Sequence, residues 1–403
     1  MKTIVSVVPL PLERDSRSLK IAASLARLGF RSLAAESLPS GRPEALPVPT
    51  VTLTPFPSRP TATTAPKAAA SRRPSRLREP LHLATMVALY FVALPILGLF
   101  RLPRADLYYL HEYRLFPTVW LKTLFHPAPI IYDAHDFYPE VWAVGSLSPF
   151  WREVFLPFLG WWEGWCARRA AQVVMVGQGV ADLFAARYGV RPRILRNCHD
   201  ARLECPPAKT LRQSLGLDAE ALLLVTIGNR KGGQAVEQAI AALATLPGHV
   251  HLAFVGRFYD DAREIARRHG VEARVHPVGA VRPEEIVPFV RDASAALILY
   301  WPETGNVGNS LPNGFFQSLA AGLPLLYPPL PELVRVIGER PVGRAIDPRD
   351  PQSLVAAIGW FDQADAAART AIRDRVAALA ADISWEREEA TLAALVQDVW
   401  RRT

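Results

Sequence analysis

Short, mostly apolar runs recur along this chain, alternating with loops and helical stretches. Residues 3–8 (TIVSVV), 31–36, 106–110 (DLYYL), 129–133 (PIIYD), 172–176 (QVVMV) and 193–195 fall in the first half. Residues 222–227, 249–255, 274–278, 295–300 and 343–346 repeat the alternation in the second half. A strand that is apolar along its whole length must be covered on both faces, as in a parallel sheet between two helical layers. The pattern predicts an α/β chain made of two doubly wound halves. The length of 403 residues agrees, since one domain takes roughly 100–200 residues.

The helices carry their own stop and start signals. Asp15-Ser16 caps a helix bearing Leu19, Ala22, Ala23, Leu25 and Leu28, and Gly29 ends it. Ser384 and the acids that follow Trp385 open a last helix. Between residues 37 and 80 the alternation fails. The segment is rich in Pro, Ala, Ser and Thr and ends basic, with Arg59, Lys67, Arg72, Arg73, Arg76 and Arg78. It reads as a flexible insertion with one short strand at 49–53.

An uncharged run follows, residues 83–100 (LATMVALYFVALPILGLF), nearly long enough to span a bilayer. A single span would put strands of one sheet on opposite sides of a membrane. The run is therefore expected either to cover the sheet or to lie in one leaflet. The basic residues before it favour the leaflet, because a polybasic run beside an apolar helix binds anionic surfaces. Farther on, residues 150–170 hold Trp161, Trp162 and Trp165 next to Arg168 and Arg169. These tryptophans read as core packing in preference to a membrane-interface belt.

The formal net charge of +8 suits anionic partners such as nucleotide phosphates or acidic headgroups. The basic residues cluster in the 37–80 segment without interleaved aromatics, so nucleic acid is not an expected partner. Cys166, Cys198 and Cys205 form no CxxC pair and read as free thiols of a reducing compartment. Cys198-His199 with Cys205 lacks a fourth ligand and is not read as a metal site. The charged run after residue 12 argues against a secretory signal, so a cytoplasmic location is expected.

Three places carry chemistry. The turn Gly228-Asn229-Arg230-Lys231-Gly232-Gly233 follows a strand. Its glycines let backbone N–H groups approach a phosphate, and Arg230 and Lys231 add charge. Residues 306–326 (NVGNSLPNGFFQSLAAGLPLL) read as a polar turn, a helix starting near Pro312-Asn313 and stopped by Gly322, and a buried strand. A loop feeding a helix start offers N–H groups and the positive dipole end to an anion. His135 follows the 129–133 strand, between Asp133 and Asp136, as a polar catalytic candidate facing an interdomain cleft. There is no DxD, HExxH or Walker lysine motif, so nothing here requires a metal.

These residues also carry a resemblance. The chain is similar to the two-domain GT-B glycosyltransferases, and most of all to family 4 of the retaining nucleotide-sugar enzymes. The similarity covers nearly the full length outside a 40–100 insertion. Asp15-Ser16-Arg17-Ser18-Leu19-Lys20 resembles the family's "DSRVLKEA" helix opening. Residues 132–140 (YDAHDFYPE) resemble "YDxHExYPE", whose His lies by the transferred sugar. Leu195-Arg196-Asn197 resembles the end of the first domain, and Ser384-Trp385-Glu386 the opening of a helix that crosses back onto it. Residues 312–325 (PNGFFQSLAAGLPL) resemble "PNKLFEYLAAGLPV". Here the family's glutamate pair is replaced by Asn309 and Gln317, and the lysine of "PNK" by Gly314. In the family the first acid orients the donor sugar and the second accepts from ribose hydroxyls. An amide still hydrogen-bonds a hydroxyl but brings no negative charge.

The resemblance implies a GT-B fold of two Rossmann-like domains facing a central cleft. Residues 1–197 are then the acceptor-side domain, 198–383 the donor domain and 384–403 the crossover helix. It implies a hexosyltransferase-type enzyme that uses a UDP- or GDP-linked sugar as co-substrate, retains configuration and needs neither cofactor nor metal. His135 and Asn309 are the implied catalytic residues. Gly228, Arg230, Lys231, Gly232, Arg257, Pro312, Asn313 and Gln317 would bind the donor. Arg17, His111 and Asp136 lie on the acceptor side. The acceptor is expected to be a lipid-linked or glycan acceptor in bacterial surface polysaccharide or glycolipid synthesis. Residues 59–100 would hold the enzyme at the inner face of the cytoplasmic membrane. Two other readings stand beside this one. The first is a GT-B sugar-nucleotide epimerase, against which the apolar 83–100 run argues. The second is a non-catalytic sugar-nucleotide-binding partner of a polysaccharide assembly complex, which the missing glutamates favour.

Overall fold

A computed structural model describes residues 1–54, 85, 87–143 and 149–402. The chain divides into two compact units. Unit 1 is Met1–Arg196 together with Glu389–Thr403, and unit 2 is Asn197–Glu388. The basic residues Arg59, Lys67, Arg72, Arg73, Arg76 and Arg78 lie outside the described residues, as do Leu83, Ala84 and Met86.

In unit 1 the elements run β1 (Thr3–Val8), α1 (Ser16–Arg27), β2 (Arg31–Glu36), β3 (Thr50–Thr52), α2 (Leu94–Arg101), β4 (Leu107–His111), α3 (Phe116–Phe125), β5 (Ile130–Asp133), α4 (Tyr138–Val141), α5 (Leu156–Arg169), β6 (Gln172–Met175), α6 (Gln178–Tyr188) and β7 (Arg193–Ile194). Among the described residues these make a seven-stranded sheet in the order β3-β2-β1-β4-β5-β6-β7. Its strand pairs are all parallel; Val5 lies opposite both Leu33 and Tyr108. The order reverses between β1 and β4, and in open α/β sheets ligands bind outside the carboxyl ends of the strands at such a point. Ile4, Val5, Val7, Val8, Tyr108 and Ile131 are fully buried, so the apolar runs form the core as their composition requires. Full burial of one such aliphatic side chain contributes about 2 kcal/mol.

The uncharged run does two things at once. A π-helical turn, Ala88–Ala93, continues into α2. Leu94 and Gly98 are buried, and Phe91 packs on Trp162 with ring centroids 4.6 Å apart. The opposite side leaves Val87, Leu89, Val92, Ile96 and Phe100 exposed. The segment therefore covers α3 and α5 with one face and keeps an apolar face outward. The tryptophans divide similarly. Trp162 is buried and stacks on Trp165 at 4.8 Å, in keeping with a core role, whereas Trp161 is 58% exposed and departs from it. Among the described residues, no helix is long and apolar enough to cross a membrane.

Unit 2 runs α7 (Leu211–Leu215), β8 (Leu222–Ile227), α8 (Val236–Leu243), β9 (Val250–Val255), α9 (Ala262–Arg268), β10 (Val275–Gly279), α10 (Ile286–Val290), β11 (Ala295–Leu297), α11 (Gly305–Gly308), α12 (Asn313–Ala320), β12 (Leu325–Tyr327), α13 (Pro331–Ile337), β13 (Gly343–Ala345), α14 (Pro351–Asp362), α15 (Ala366–Asp382) and the start of α16 (Trp385–Arg402). Its six strands lie in the order β10-β9-β8-β11-β12-β13, again all parallel, with the reversal between β8 and β11. The Gly228 turn leaves β8 and the 306–312 stretch leaves β11, so this reversal brings the two anion-ready segments together.

From Glu389 onward α16 belongs to unit 1. Glu389 takes hydrogen bonds from Ser24 Oγ at 2.6 Å and from Arg27 Nε at 3.1 Å. The Trp400 ring meets Phe30 edge-on at 5.3 Å and lies under the Lys2 ammonium at 4.0 Å.

Candidate active site

In unit 1 the sequence places an aspartate before a helix, and the structure uses it as a cap. Asp15 Oδ1 accepts from the amides of Arg17 (3.1 Å) and Ser18 (3.2 Å), and Oδ2 from Ser18 Oγ (2.6 Å). The cap fixes the first turn of α1 and turns Arg17 into the sheet, where it is 3% exposed. Arg17 donates from Nε to Asp133 Oδ2 at 2.9 Å and from Nη2 to Oδ1 at 3.0 Å, with Nη1 on the Leu195 carbonyl at 2.9 Å. Tyr109 Oη adds a third hydrogen bond to Asp133, 3.2 Å from Oδ2. A planar fork on a carboxylate at the end of β5 is the bidentate geometry that makes buried arginine pairs specific.

Two histidines complete the group. His111 ends β4 fully buried, and His135 stands two residues past β5 with its side chain 21% exposed. Their Nδ1 and Nε2 atoms lie 3.2 Å apart. His111 Nδ1 is 3.9 Å from Asp133 Oδ2, and His135 Nε2 is 4.0 Å from Asp133 Oδ1. Burial lowers His111 to about 4 despite the pull of Asp133, so the ring is neutral at pH 7. Burial by itself would raise the Asp133 carboxyl, but Arg17, His135 and His111 hold it below the ordinary range. Asp15 is likewise held down, by His135, His111 and Ser18, against the effect of its burial. The result is a pair of ionised carboxylates around a histidine pair, one of them partly open to solvent.

The ligand atoms of His111, Asp133 and His135 all lie within 4.8 Å of one another, close enough to hold a metal ion. The donor set does not suit one. Both oxygens of Asp133 already serve Arg17, whose fixed positive charge would face any cation there. The group reads instead as a proton-ordered hydrogen-bond network. Asp136, the other acceptor-side candidate, is half-buried next to His135.

In unit 2 the turn after β8 is laced to the loop after β9. The Arg257 amide donates to Asn229 Oδ1 at 2.9 Å, and the Arg230 amide donates to the Arg257 carbonyl at 3.0 Å. The Arg230 side chain pairs with Asp261, so its charge is already partnered. Lys231 and Gly232 are exposed. Gly233 is pinned by the Trp301 amide, which donates to its carbonyl at 3.0 Å.

The 306–312 stretch differs from the open turn expected from its small polar residues. Thr304 Oγ1 accepts from the Val307 amide, so Gly305–Gly308 closes into one helical turn. Asn309 follows that turn and spends its Nδ2 on the Gly305 carbonyl at 2.9 Å, leaving the carboxamide oxygen for a partner. The start of α12 is tied down by Asn197 Nδ2, which donates to Asn313 Oδ1 at 2.7 Å. Pro312 precedes Asn313 as N-cap, and Gln317 is half-buried one turn on. A hollow at the ends of β8 and β11 is lined by Ile227, Tyr300, Pro312, Gly314, Phe315 and Ser318.

Gly314 has a geometric reason. A Cβ at that position would lie 2.4 Å from the Ile227 carbonyl oxygen, so the helix start approaches the end of β8 more closely than any side chain permits. The residue at the family's lysine position is thus set by backbone contact. The sequence had marked Arg17, His111 and His135 as candidates, and these three meet in one network. Asp133 and Tyr109 belong to it too. Tyr109 lies in an apolar strand and reads as core, and Asp133 stands in the sequence only as the neighbour of His135.

Comparisons with known proteins bear on the fold and the family. The family profile described as glycosyl transferase 4-like domain matches residues 16–198, and that described as glycosyl transferases group 1 matches residues 221–361. No curated protein matches the sequence. Among solved structures, the sucrose-phosphate synthase of Thermosynechococcus elongatus superposes with a TM-score of 0.71 at 15% identity, covering 100% of each chain. The HepE protein of Anabaena, in complex with UDP and glucose, gives 0.67 at 16% identity over 99% of this chain and 100% of that one. WaaG, a glycosyltransferase involved in lipopolysaccharide biosynthesis, gives 0.63 at 17% identity over 97% of this chain and 98% of its own. With two parallel Rossmann-like units matching these folds and family profiles covering most of its length, the chain belongs to the family 4-like GT-B glycosyltransferases.

Proposed function

We propose that the protein transfers a sugar from a nucleotide diphosphate to a lipid-linked or glycan acceptor, with retention and without a metal, at the inner face of the cytoplasmic membrane. The observation that carries the transfer is the Arg17–Asp133–His111–His135 network, a buried and fully oriented set that ends in one solvent-reaching imidazole. Order of this kind places a hydrogen-bonding group against a reacting sugar at no cost in reorganisation. On the donor side, the Gly228 turn with Lys231 and the start of α12 offer N–H groups and charge to a diphosphate, and Gln317 offers an amide to a ribose hydroxyl. HepE, described with bound UDP and glucose, supports a UDP-sugar as the first donor to try.

The membrane part rests on where the apolar surface lies. The exposed large apolar side chains concentrate between Val87 and Trp161; they include Val92, Ile96 and Phe100 before and on α2, Leu124 and Phe125 on α3, and Phe158 and Trp161 on α5. Phe91 joins α2 to α5, and Lys122 Nζ joins α3 to the Leu99 carbonyl at 2.7 Å, so the three faces adjoin. Exposed Arg101, Arg104, Arg152 and Arg168 flank them. Apolar and aromatic side chains edged by arginine suit the interface of an anionic bilayer.

A thermal-shift screen of nucleotide sugars tests the donor reading, since a ligand that binds only the folded state raises Tm. A hit should be consumed by the wild type and spared by His135→Ala. No shift with any UDP- or GDP-sugar sinks the donor site. One observation favours a second reading, binding without transfer: neither Asn309 nor Gln317 carries the charge of the family's acids. A donor that binds but is never consumed would select it.

A further inference from the structure

Glu163 lies on α5 with no solvent exposure. Tyr132 Oη donates to its Oε1 at 3.2 Å and Tyr188 Oη to its Oε2 at 2.9 Å, and the backbone of Tyr138 hydrogen-bonds to the same carboxyl. Tyr132 precedes His135 by three residues and Tyr138 follows it by three. One buried carboxyl therefore grips both flanks of the segment that carries His135. Tyr188 closes the grip from α6, with its ring 5.9 Å from that of Phe137, the buried N-cap of α4.

The surroundings are shaped for this contact. A Cβ on Gly164 would meet the Tyr188 ring at 2.7 Å, so only glycine lets α6 approach closely enough for the phenol to reach Glu163. A buried carboxyl with this many donors fixes its neighbours strongly, because each partner left unmatched in the interior costs about 1–3 kcal/mol.

We propose that Glu163 is the positioning residue of the His135 segment, acting through Tyr132, Tyr138 and Tyr188. The proposal rests on the reading of His135 as a site residue. Burial pushes the Glu163 carboxyl up to about 8, against the hydrogen bonds of Tyr188, Tyr132 and the Tyr138 backbone and the attraction of Arg187. The other titratable groups facing it are Cys166 on α5 and Tyr113 beyond β4. At pH 7 the group is a neutral acid that both donates and accepts. Above pH 8 it becomes a buried anion, drawn toward Arg187 but still desolvated, and the segment it holds should loosen.

Glu163→Gln keeps one donor and one acceptor and cannot ionise, so it separates position from charge. Hydrogen exchange of the 134–141 amides is the readout, at pH 6 and pH 9, in the wild type, Glu163→Gln and Glu163→Leu. Wild type and Gln should exchange alike at pH 6. At pH 9 the wild type should exchange at least fivefold faster than Gln, and Leu should exchange faster than both at pH 6. Equal exchange of wild type and Gln at pH 9, or a Leu variant as protected as wild type, overturns the proposal. Should the Leu variant fail to fold, the comparison of wild type with Gln still decides. The readout needs no donor, so its failure is separate from failure of the nucleotide-sugar reading, which the thermal-shift screen tests.

Discussion

His111 Nδ1 lies 3.2 Å from His135 Nε2, and this contact decides which nitrogen of His135 carries its proton. His111 is neutral at pH 7, and its Nε2 is buried without a partner among the described residues. An N–H stranded there would cost about 1–3 kcal/mol. The proton of His111 therefore sits on Nδ1 and is donated to His135 Nε2, and neutral His135 carries its proton on Nδ1. Nitrogen-15 NMR of the imidazoles should show the Nδ1–H tautomer for both rings. An Nε2–H signal from His135 rules the assignment out. His111→Phe, which frees that choice, should lower turnover about tenfold or more with little change in donor affinity, since proton placement contributes on this scale.

Among the described residues, Arg17 is the one close countercharge of Asp133 that does not depend on histidine protonation. Arg17→Ala leaves a buried carboxylate unmatched and should cost about 3–5 kcal/mol in urea unfolding at pH 7. The sign with pH follows from the depressed Asp133 carboxyl. A depressed folded value gives stability that is present above the unfolded value and lost as pH falls through the folded one. The gap between wild type and variant should therefore narrow below pH 4. A gap that stays constant down to pH 3 would show that the ion pair is not its source.

Glu163 has the opposite sign. Its folded value, about 8, lies above that of an ordinary glutamate. Between those values the folded state keeps a proton that the unfolded chain has lost, so stability falls as pH rises, by about 1.4 kcal/mol per unit. Glu163→Gln removes this slope. Its stability relative to wild type should climb from pH 5 to pH 8 and then level off, as read from urea midpoints in the two proteins.

The outward apolar face makes a prediction about vesicles. Phe158 and Trp161 are exposed on α5 and take little part in the core. The double change Phe158→Ser and Trp161→Ser should weaken co-sedimentation with anionic phospholipid vesicles about tenfold or more while leaving Tm within a few degrees. Unchanged binding would remove this face from the proposal.

Restoring the family's lysine at Gly314 should fail. Any side chain there starts 2.4 Å from the Ile227 carbonyl, so Gly314→Lys and Gly314→Ala should both destabilise, by about 1–3 kcal/mol, as overpacking does. Denaturant unfolding of the two variants checks this. A lysine variant as stable as wild type would mean that the loop yields easily.

Most strands were legible because they are short apolar runs between turn residues, and 222–227 falls on β8 residue for residue. Several helices were not, and the two longest of these show why. Phe116–Phe125 is apolar on several sides, so no periodic stripe marks it. Ala366–Asp382 is the reverse: alanine and charge surround it, and only Ile372, Val376 and Leu379 are buried, too thin a stripe to stand out. The site was legible where it departs from apolar surroundings, as at His135. It was hidden where the decisive partner lies far along the chain, since nothing local says that Arg17 will hold Asp133, 116 residues away. Gly314 read as a lost lysine until the Ile227 carbonyl gave it a cause.

Unit 1 contains both ends of the chain, and unit 2 is inserted between Arg196 and Glu389. On the ribosome the first 196 residues emerge without the last segment of their own domain. Ser24, Arg27, Phe30 and Arg193 wait for Glu389, Trp400 and Asp398 until unit 2 has been made. The early chain thus leaves one helix-docking surface uncovered for as long as unit 2 takes to be made. Synthesis of residues 389–402, rather than completion of either sheet, is the event that closes unit 1.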